Sequence, residues 1–485
     1  MAGKGEESKV IVAVRASTPA DLAAIVEAIE TAKGSGPPPG STVAKGSGPA
    51  PGVRLAVRAA GQLLASLDQP LLDRLAAVGG AIEWLGGGWA DPVLAMLPRR
   101  DRRLQLQTDV DTISATVGAT IGGAWLALGA WQGFLAETLA VAGLRYVLID
   151  AGAFIGKVEA GIVDHLGTTL VAVPIGQEAA VTPVTAADLG AVLAPNTETL
   201  TPSEYLDLHP PTERVALVED WPGSAAPRWR QQLAFDPGAD LLYRKMLRLS
   251  AKWSDRVPPP SQPAFLSAQS HAHYLGSGDR EEGHRLLVAA RTADRRTGSV
   301  LATEDWDADG QAEIHIELAE LSAVLDPGTT SLSYLDDKTV GWPVMVRPVF
   351  IEPLGAFTSE VVELSEHRGK VEVRLGSPRL AARFALEGRT VEITLSKQQI
   401  DDTPVGPRLP INLRGGAQLR VDGGAWTEVA SGREVSGHRF RIQAADRGVV
   451  ITLAKPGEMS IELAGSELVI WPHAIRALEM SMELT

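Results

Sequence analysis

The 485-residue chain contains no cysteine. Disulfides and thiolate metal sites are therefore excluded, and the redox compartment stays open. Positive charge is in deficit: 45 lysines and arginines face 59 aspartates and glutamates, a formal net charge of −14. A field of that sign repels phosphate, so neither nucleic acid nor an anionic membrane is the expected partner. Solubility is the simplest reading of the acidity. Long apolar runs are missing too. No stretch reaches the roughly 18 apolar residues of a membrane span, and MAGKGEESKVIVAV at the N-terminus holds one short apolar run, too brief for a signal-peptide core. A cytoplasmic protein is predicted.

What is present has the texture of a multi-domain globular chain. The apolar fraction is 45%, enough for sizeable cores, and the length predicts two or three domains. KGSGPPPG at 33–40 returns as KGSGPAPG at 45–52; proline removes donors and glycine raises the ordering cost, so 33–52 reads as a loop. From Val53 to about Pro211, short apolar β-type runs alternate with Ala/Leu-rich helical stretches, the pattern of βαβ units around a parallel sheet. Between about 228 and 296 the period becomes helical, with Leu242, Met246, Leu249 and Trp253 on one face. Beyond Val300, runs such as VEVRL (371–375), TVEITL (390–395) and VVITL (449–453) have period two. Turns such as Asp422-Gly423-Gly424 separate them, as in an antiparallel β-sandwich.

Three clusters carry metal- or ligand-type chemistry. Asp305, Asp307 and Asp309 precede Gly310 at the i, i+2, i+4 spacing that converges oxygen ligands on a hard cation. The twelfth position of an EF-hand loop is Ile316 here, so Glu313 would have to complete a Ca2+ site at 305–313; a solvated acidic turn is the rival. His271 and His273 would share a face if they lay on a strand. Glu219-Asp220-Trp221 places carboxylates beside an aromatic ring that a sugar can use, or forms a solvated loop.

GAWLALGAWQGFL at 123–135 resembles the nucleophile strand of family-57 glycoside hydrolases, the α-amylases and 4-α-glucanotransferases, which reads roughly GVWLTERVWQPEL. Trp125, Leu126, Trp131, Gln132 and Leu135 match in register, and the family's nucleophilic glutamate falls on Leu128. LLDRLAAVGGAIEWLGGGWADPVLAMLP (71–98) resembles the family's second helix and strand, with Asp91 where a glutamate is usual. AVAGLRYVLIDAGAF (140–154) follows SGIDYVIVDDYHF, keeping Asp150 but putting Ala153 at the histidine. WRQQLAFDPGADLLYRKML (229–247) has the family's Trp-to-Pro-to-MetLeu spacing. The resemblance covers most of 8–325 in order.

The departures fall on the chemistry. The family's His-x-His-x-Pro is Arg15-Ala16-Ser17-Thr18-Pro19. No string like the acid/base strand VAVFHDDGEKFG is found, and 173–206 leaves no room for that strand and its helix. AQCNDAYWHG becomes AQSHAHYLG (268–276). Retaining hydrolysis needs two carboxyl groups about 5–5.5 Å apart, and a leucine supplies none.

The resemblance implies a multi-domain α/β plus all-β fold: an incomplete parallel (β/α)7-like barrel at 1–225, a small helical domain at 226–297 and a C-terminal antiparallel β-sandwich at 298–485. It implies a protein of α-glucan metabolism with no required cofactor, leaning away from being an enzyme, that binds glucan or regulates an active homologue. An active enzyme with relocated carboxylates (Asp91 with Asp150 or Glu219) and a structural scaffold are the alternatives, and α-glucan, an active homologue or a second copy of the chain are the candidate partners. Ligands of such barrels sit at strand C-termini, so Trp89, Asp91, Trp125, Trp131 and Asp150 are the expected glucan-binding residues. Core packing is the alternative role for the tryptophans.

Overall fold

The computed structural model describes residues 10–34, 53–177, 179–193, 198–219, 228–275, 279–293, 300–305, 310–345, 351–352, 359–398, 406–413, 417–429, 432–444, 447–464, 467–473 and 477–485. They form two compact units: 1–235 with 269–276, and 236–268 with 277–485. The helical segment expected as its own domain at 226–297 is thus divided between the two.

In the first unit, β1 (Val10–Ala16), β2 (Leu55–Ala59), β3 (Ile82–Gly86), β4 (Gly123–Trp125) and β5 (Tyr146–Asp150) run parallel in sequence order. Helices α1 (Pro19–Gly34), α2 (Gly61–Leu64), α3 (Gln69–Val78), α4 (Arg99–Val117) and α5 (Leu135–Val141) fill the crossovers. After β5 the pattern changes. β6 (Phe154–Ile155) and β7 (Gly161–His165) precede β8 (Thr168–Ile175), which pairs parallel with β5 and antiparallel with β7.

β9 (Val181–Val184) then pairs with β1 from Ile11↔Val181 to Val14↔Val184, and with β8 at Ile175↔Val181. The seven parallel strands β1–β5, β8 and β9 therefore close into a ring. Parallel neighbours normally need a crossover of a dozen or more residues. Here residues 176–180 suffice, because β9 starts at the level where β8 stops and the two meet at one residue pair. The segment 173–206, expected to lack room for the acid/base strand and its helix, thus holds a short parallel strand, β9, with no helix among the described residues between β8 and β9. β10 (Thr199–Leu200) adds to β1, β11 (Ala216–Leu217) pairs with β6, and α6 (Leu189–Val192), α7 (Pro202–Leu208), α8 (Arg228–Phe235) and α11 (His271–Tyr274) complete the unit. A reciprocal Thr201/Glu204 capping box starts α7, satisfying end donors that would otherwise be orphaned.

Strand alternation sorts the side chains. Ile11, Ala13, Ala56, Leu85, Tyr146, Leu148, Val173, Ile175 and Val181 form the core inside the ring. Two residues further along the same faces lie Arg15, Arg58 and Asp150, at the C-terminal ends of β1, β2 and β5.

The second unit carries α9 (Pro237–Lys252), α10 (Gln262–Ser267) and α12 (Arg280–Ala293). Leu242, Met246, Leu249 and Trp253 are buried as the helical period required, and Trp253 meets Phe265 edge-to-face at 5.3 Å. Strands Val300–Glu304, Glu313–Glu317, Leu321–Asp326, Ser331–Asp337 and Trp342–Met345 form an antiparallel sheet, and a larger antiparallel sheet spans strands from Glu360–His367 to Ala477–Leu484. The two share one apolar core running from Ile314 to Leu484, the sandwich arrangement in which inner faces interdigitate. Among the described residues no helix is long and apolar enough to cross a membrane.

Candidate functional site

A cavity of about 490 Å³ opens at the C-terminal ends of the barrel strands, lined by Arg15, Ser17, Asp91, Trp125, Leu128 and Asp150 among others. Five segments build its polar side. Arg15 Nη1 donates to both Asp91 carboxylate oxygens, at 2.9 and 3.0 Å. Its Nη2 donates to the Trp125 and Leu126 carbonyls at 3.2 and 2.8 Å, and the guanidinium lies 4.8 Å from the Trp125 ring centroid. Beneath it, Arg58 reaches Asp91 at 3.3 Å and Asp109 at 3.2 Å, and donates to the Gly88 carbonyl at 2.6 Å. His271 Nδ1 lies 2.7 Å from the Asp91 carbonyl oxygen. Burial alone would raise the Asp91 carboxyl, but Arg15, then Arg58 and His271, hold it below the ordinary carboxylate range.

Helix α4 supports this arrangement. Asp101, Gln105 and Asp109 recur every four residues and are all buried. Asp109 accepts from the amides of Gly61, Gly87 and Gly88 at 2.8, 2.9 and 3.0 Å, and Gln105 accepts from Ala90 at 3.1 Å. The glycine-rich turn after β3 therefore finds its hydrogen-bond partners on a helix face, as buried amides must. A Cβ at Gly87 would lie 2.6 Å from Arg58 Nε and 2.7 Å from the Trp125 carbonyl oxygen; only glycine leaves Arg58 this path. Burial pushes the Asp109 carboxyl up, against the pull of Arg58 and the three amides.

Backbone strain collects at the same place. Asp91 and Leu128 adopt positive φ, 53° and 55°, in the region L-residues rarely enter. A non-glycine residue there costs on the order of 1–3 kcal/mol and persists where surroundings over-determine it. Leu128 is held in a tight turn by Gly129 N to Leu126 O and Ala130 N to Ala127 O, at 3.2 and 3.1 Å.

Of the five expected glucan-binding residues, Asp91, Trp125 and Asp150 line the cavity. Trp89 does not: its ring packs on Gly61, where a Cβ would fall 2.8 Å from Cδ1. Trp131 is buried in the core. Asp150 accepts from the Gly152 amide at 2.8 Å. β9 reads VTPV and carries no carboxylate, so it supplies no acid/base group to the barrel mouth. His271 and His273 lie on helix α11 rather than a strand, so a spacing of two turns them apart. Glu219 accepts from the Gly133 amide at 2.7 Å; Asp220 and Trp221 lie outside the described residues. So do Asp307 and Asp309, while Asp305 accepts from the Gly310 amide at 3.1 Å and Glu313 is buried opposite Glu304 in a strand pair. Among the described residues no group of three metal-type ligands assembles. Arg58 and Asp109 were missed, although a lone arginine in an apolar strand and a polar stripe at helical spacing were both visible.

In sequence and in fold the chain is similar to proteins of glycoside hydrolase family 57. It is 33% identical over 81 residues to an alpha-amylase from Dictyoglomus thermophilum, covering 17% of this chain and 12% of that one. It is 32% identical over 103 residues to a 4-alpha-glucanotransferase from Thermococcus kodakarensis, covering 20% and 16%. These alignments span less than a fifth of either relative's length. The crystal structure of 4-alpha-glucanotransferase from Thermococcus litoralis superposes with a TM-score of 0.74 at 15% identity, over 98% of this chain and 99% of that one. No family model matches.

Proposed function

We propose that this is a catalytically silent, family-57-like protein of α-glucan metabolism, which binds glucan at the barrel mouth or regulates an active homologue. The observation that carries the reading is the state of the carboxylates. Leu128 stands at the nucleophile position, and Asp91 is clamped by Arg15 and Arg58. Retaining hydrolysis needs one carboxyl group to attack and another to deliver a proton. A carboxylate locked between two guanidinium groups and held below its ordinary pKa delivers no proton near neutrality, which argues against relocated catalysis through Asp91 and Asp150. The remaining lining has hydroxyl-binding groups in Ser17, Asp150 and His271, and an apolar wall in Leu128, Leu148, Ile175 and Pro183, a combination suited to one neutral sugar.

The test is turnover. Purified protein incubated with amylose and maltooligosaccharides should release no sugar above background, and Leu128→Glu alone should release none, because the proton donor is still lacking. Sustained release that disappears in Asp91→Asn or Asp150→Asn would replace this reading by relocated catalysis.

A further inference from the structure

We propose that Arg15 occupies the platform on which a sugar would stack, so that the mouth takes glucan only when Arg15 swings away from Asp91 and Trp125. This rests on the glucan-binding reading above and adds its control. A pyranose needs a free aromatic face and acceptors for its hydroxyls. The cation lies 4.8 Å from the Trp125 centroid, and both Asp91 oxygens already accept from it. The two carbonyls of Trp125 and Leu126 are taken as well. Arg15 thus uses the groups a sugar would use, from the position where the family has a histidine.

The arrangement has two workable states. The Arg15 side chain is 25% exposed, at the edge of the cavity rather than beneath it. When it leaves, Asp91 keeps Arg58 at 3.3 Å, so no charge is stranded. Binding that requires a minor open state is weakened by the open fraction. A bidentate, partly exposed pair with a ring contact corresponds to roughly 30- to 100-fold.

Calorimetric titration of maltoheptaose into the full chain and its Arg15→Ser and Arg15→Gln variants tests this. Arg15→Gln keeps a donor toward Asp91 and guards against misfolding in the serine variant. Arg15→Ser should bind about 30- to 100-fold more tightly than the parent, and Arg15→Gln, which frees the Trp125 ring but not all of Asp91, should gain less. Guanidinium chloride at low millimolar concentration should raise the melting temperature of Arg15→Ser, since the free ion re-enters the set of acceptors, and should not raise that of the parent. Equal affinity in parent and folded variants overturns the proposal and leaves the glucan reading standing. No binding heat in any of the three, all folded by circular dichroism, overturns both.

Discussion

Arg58→Met probes the ion-pair ladder under the barrel mouth while keeping an unbranched side chain. Arg58 is 1% exposed and Asp109 fully buried, 3.2 Å apart. Removing one member of a buried pair costs about 3–5 kcal/mol, because the other charge is left uncompensated. The three glycine amides still solvate Asp109, and Asp91 keeps Arg15, which places the expected loss near the lower end, about 3 kcal/mol. At roughly 2–4 °C per kcal/mol, the barrel unit should melt about 6–12 °C lower. The loss should also depend on pH. Burial already raises the Asp109 carboxyl, and Arg58 is the largest influence opposing it; without Arg58 it rises further. A carboxyl that binds its proton more tightly folded than unfolded contributes stability at low pH and loses it as pH rises through the folded value. The gap between variant and parent should therefore narrow as pH falls from 7 to 5. Urea unfolding followed by circular dichroism at both pH values measures it. A loss below about 1 kcal/mol, or a gap indifferent to pH, would refute a charge-compensating role for Arg58.

In the second unit, burial and then Arg248 and Arg291 push the His315 imidazole down to about 2. The unfolded chain takes up that proton near 6.5, so this group withdraws stability as pH falls below 6.5; in His315→Gln, unfolding between pH 6.5 and 4.5 should depend less on pH. Gly123→Ala would put a Cβ 2.1 Å from Tyr146 Cζ, on a ring whose hydroxyl donates to Glu83 at 2.6 Å. Overpacking of this kind should cost about 1–3 kcal/mol in chemical unfolding, and an unchanged midpoint would show that Tyr146 has room to move.

Much of the fold was legible before any coordinates. Strand–helix alternation, the helical face of Leu242, Met246, Leu249 and Trp253, and period two beyond Val300 are local signals, written in neighbouring residues and independent of what those residues touch. The short parallel strand Gly123–Trp125 was legible from the match around Leu128, because register along one strand is also local. What only the tertiary structure decided is where distant segments meet. Arg15, Asp91, Trp125 and His271 are 76, 110 and 256 residues from the first to the others, and no spacing rule connects them; barrel closure does. The same closure depends on β9 meeting β8 at one residue pair, too little pairing to leave a pattern in VTPV. Trp89, Trp125 and Trp131 look alike as sequence, yet one packs on a glycine, one lies beneath an arginine and one is core. That sorting follows from which backbone end each side chain faces, a property of the assembled ring rather than of the residue.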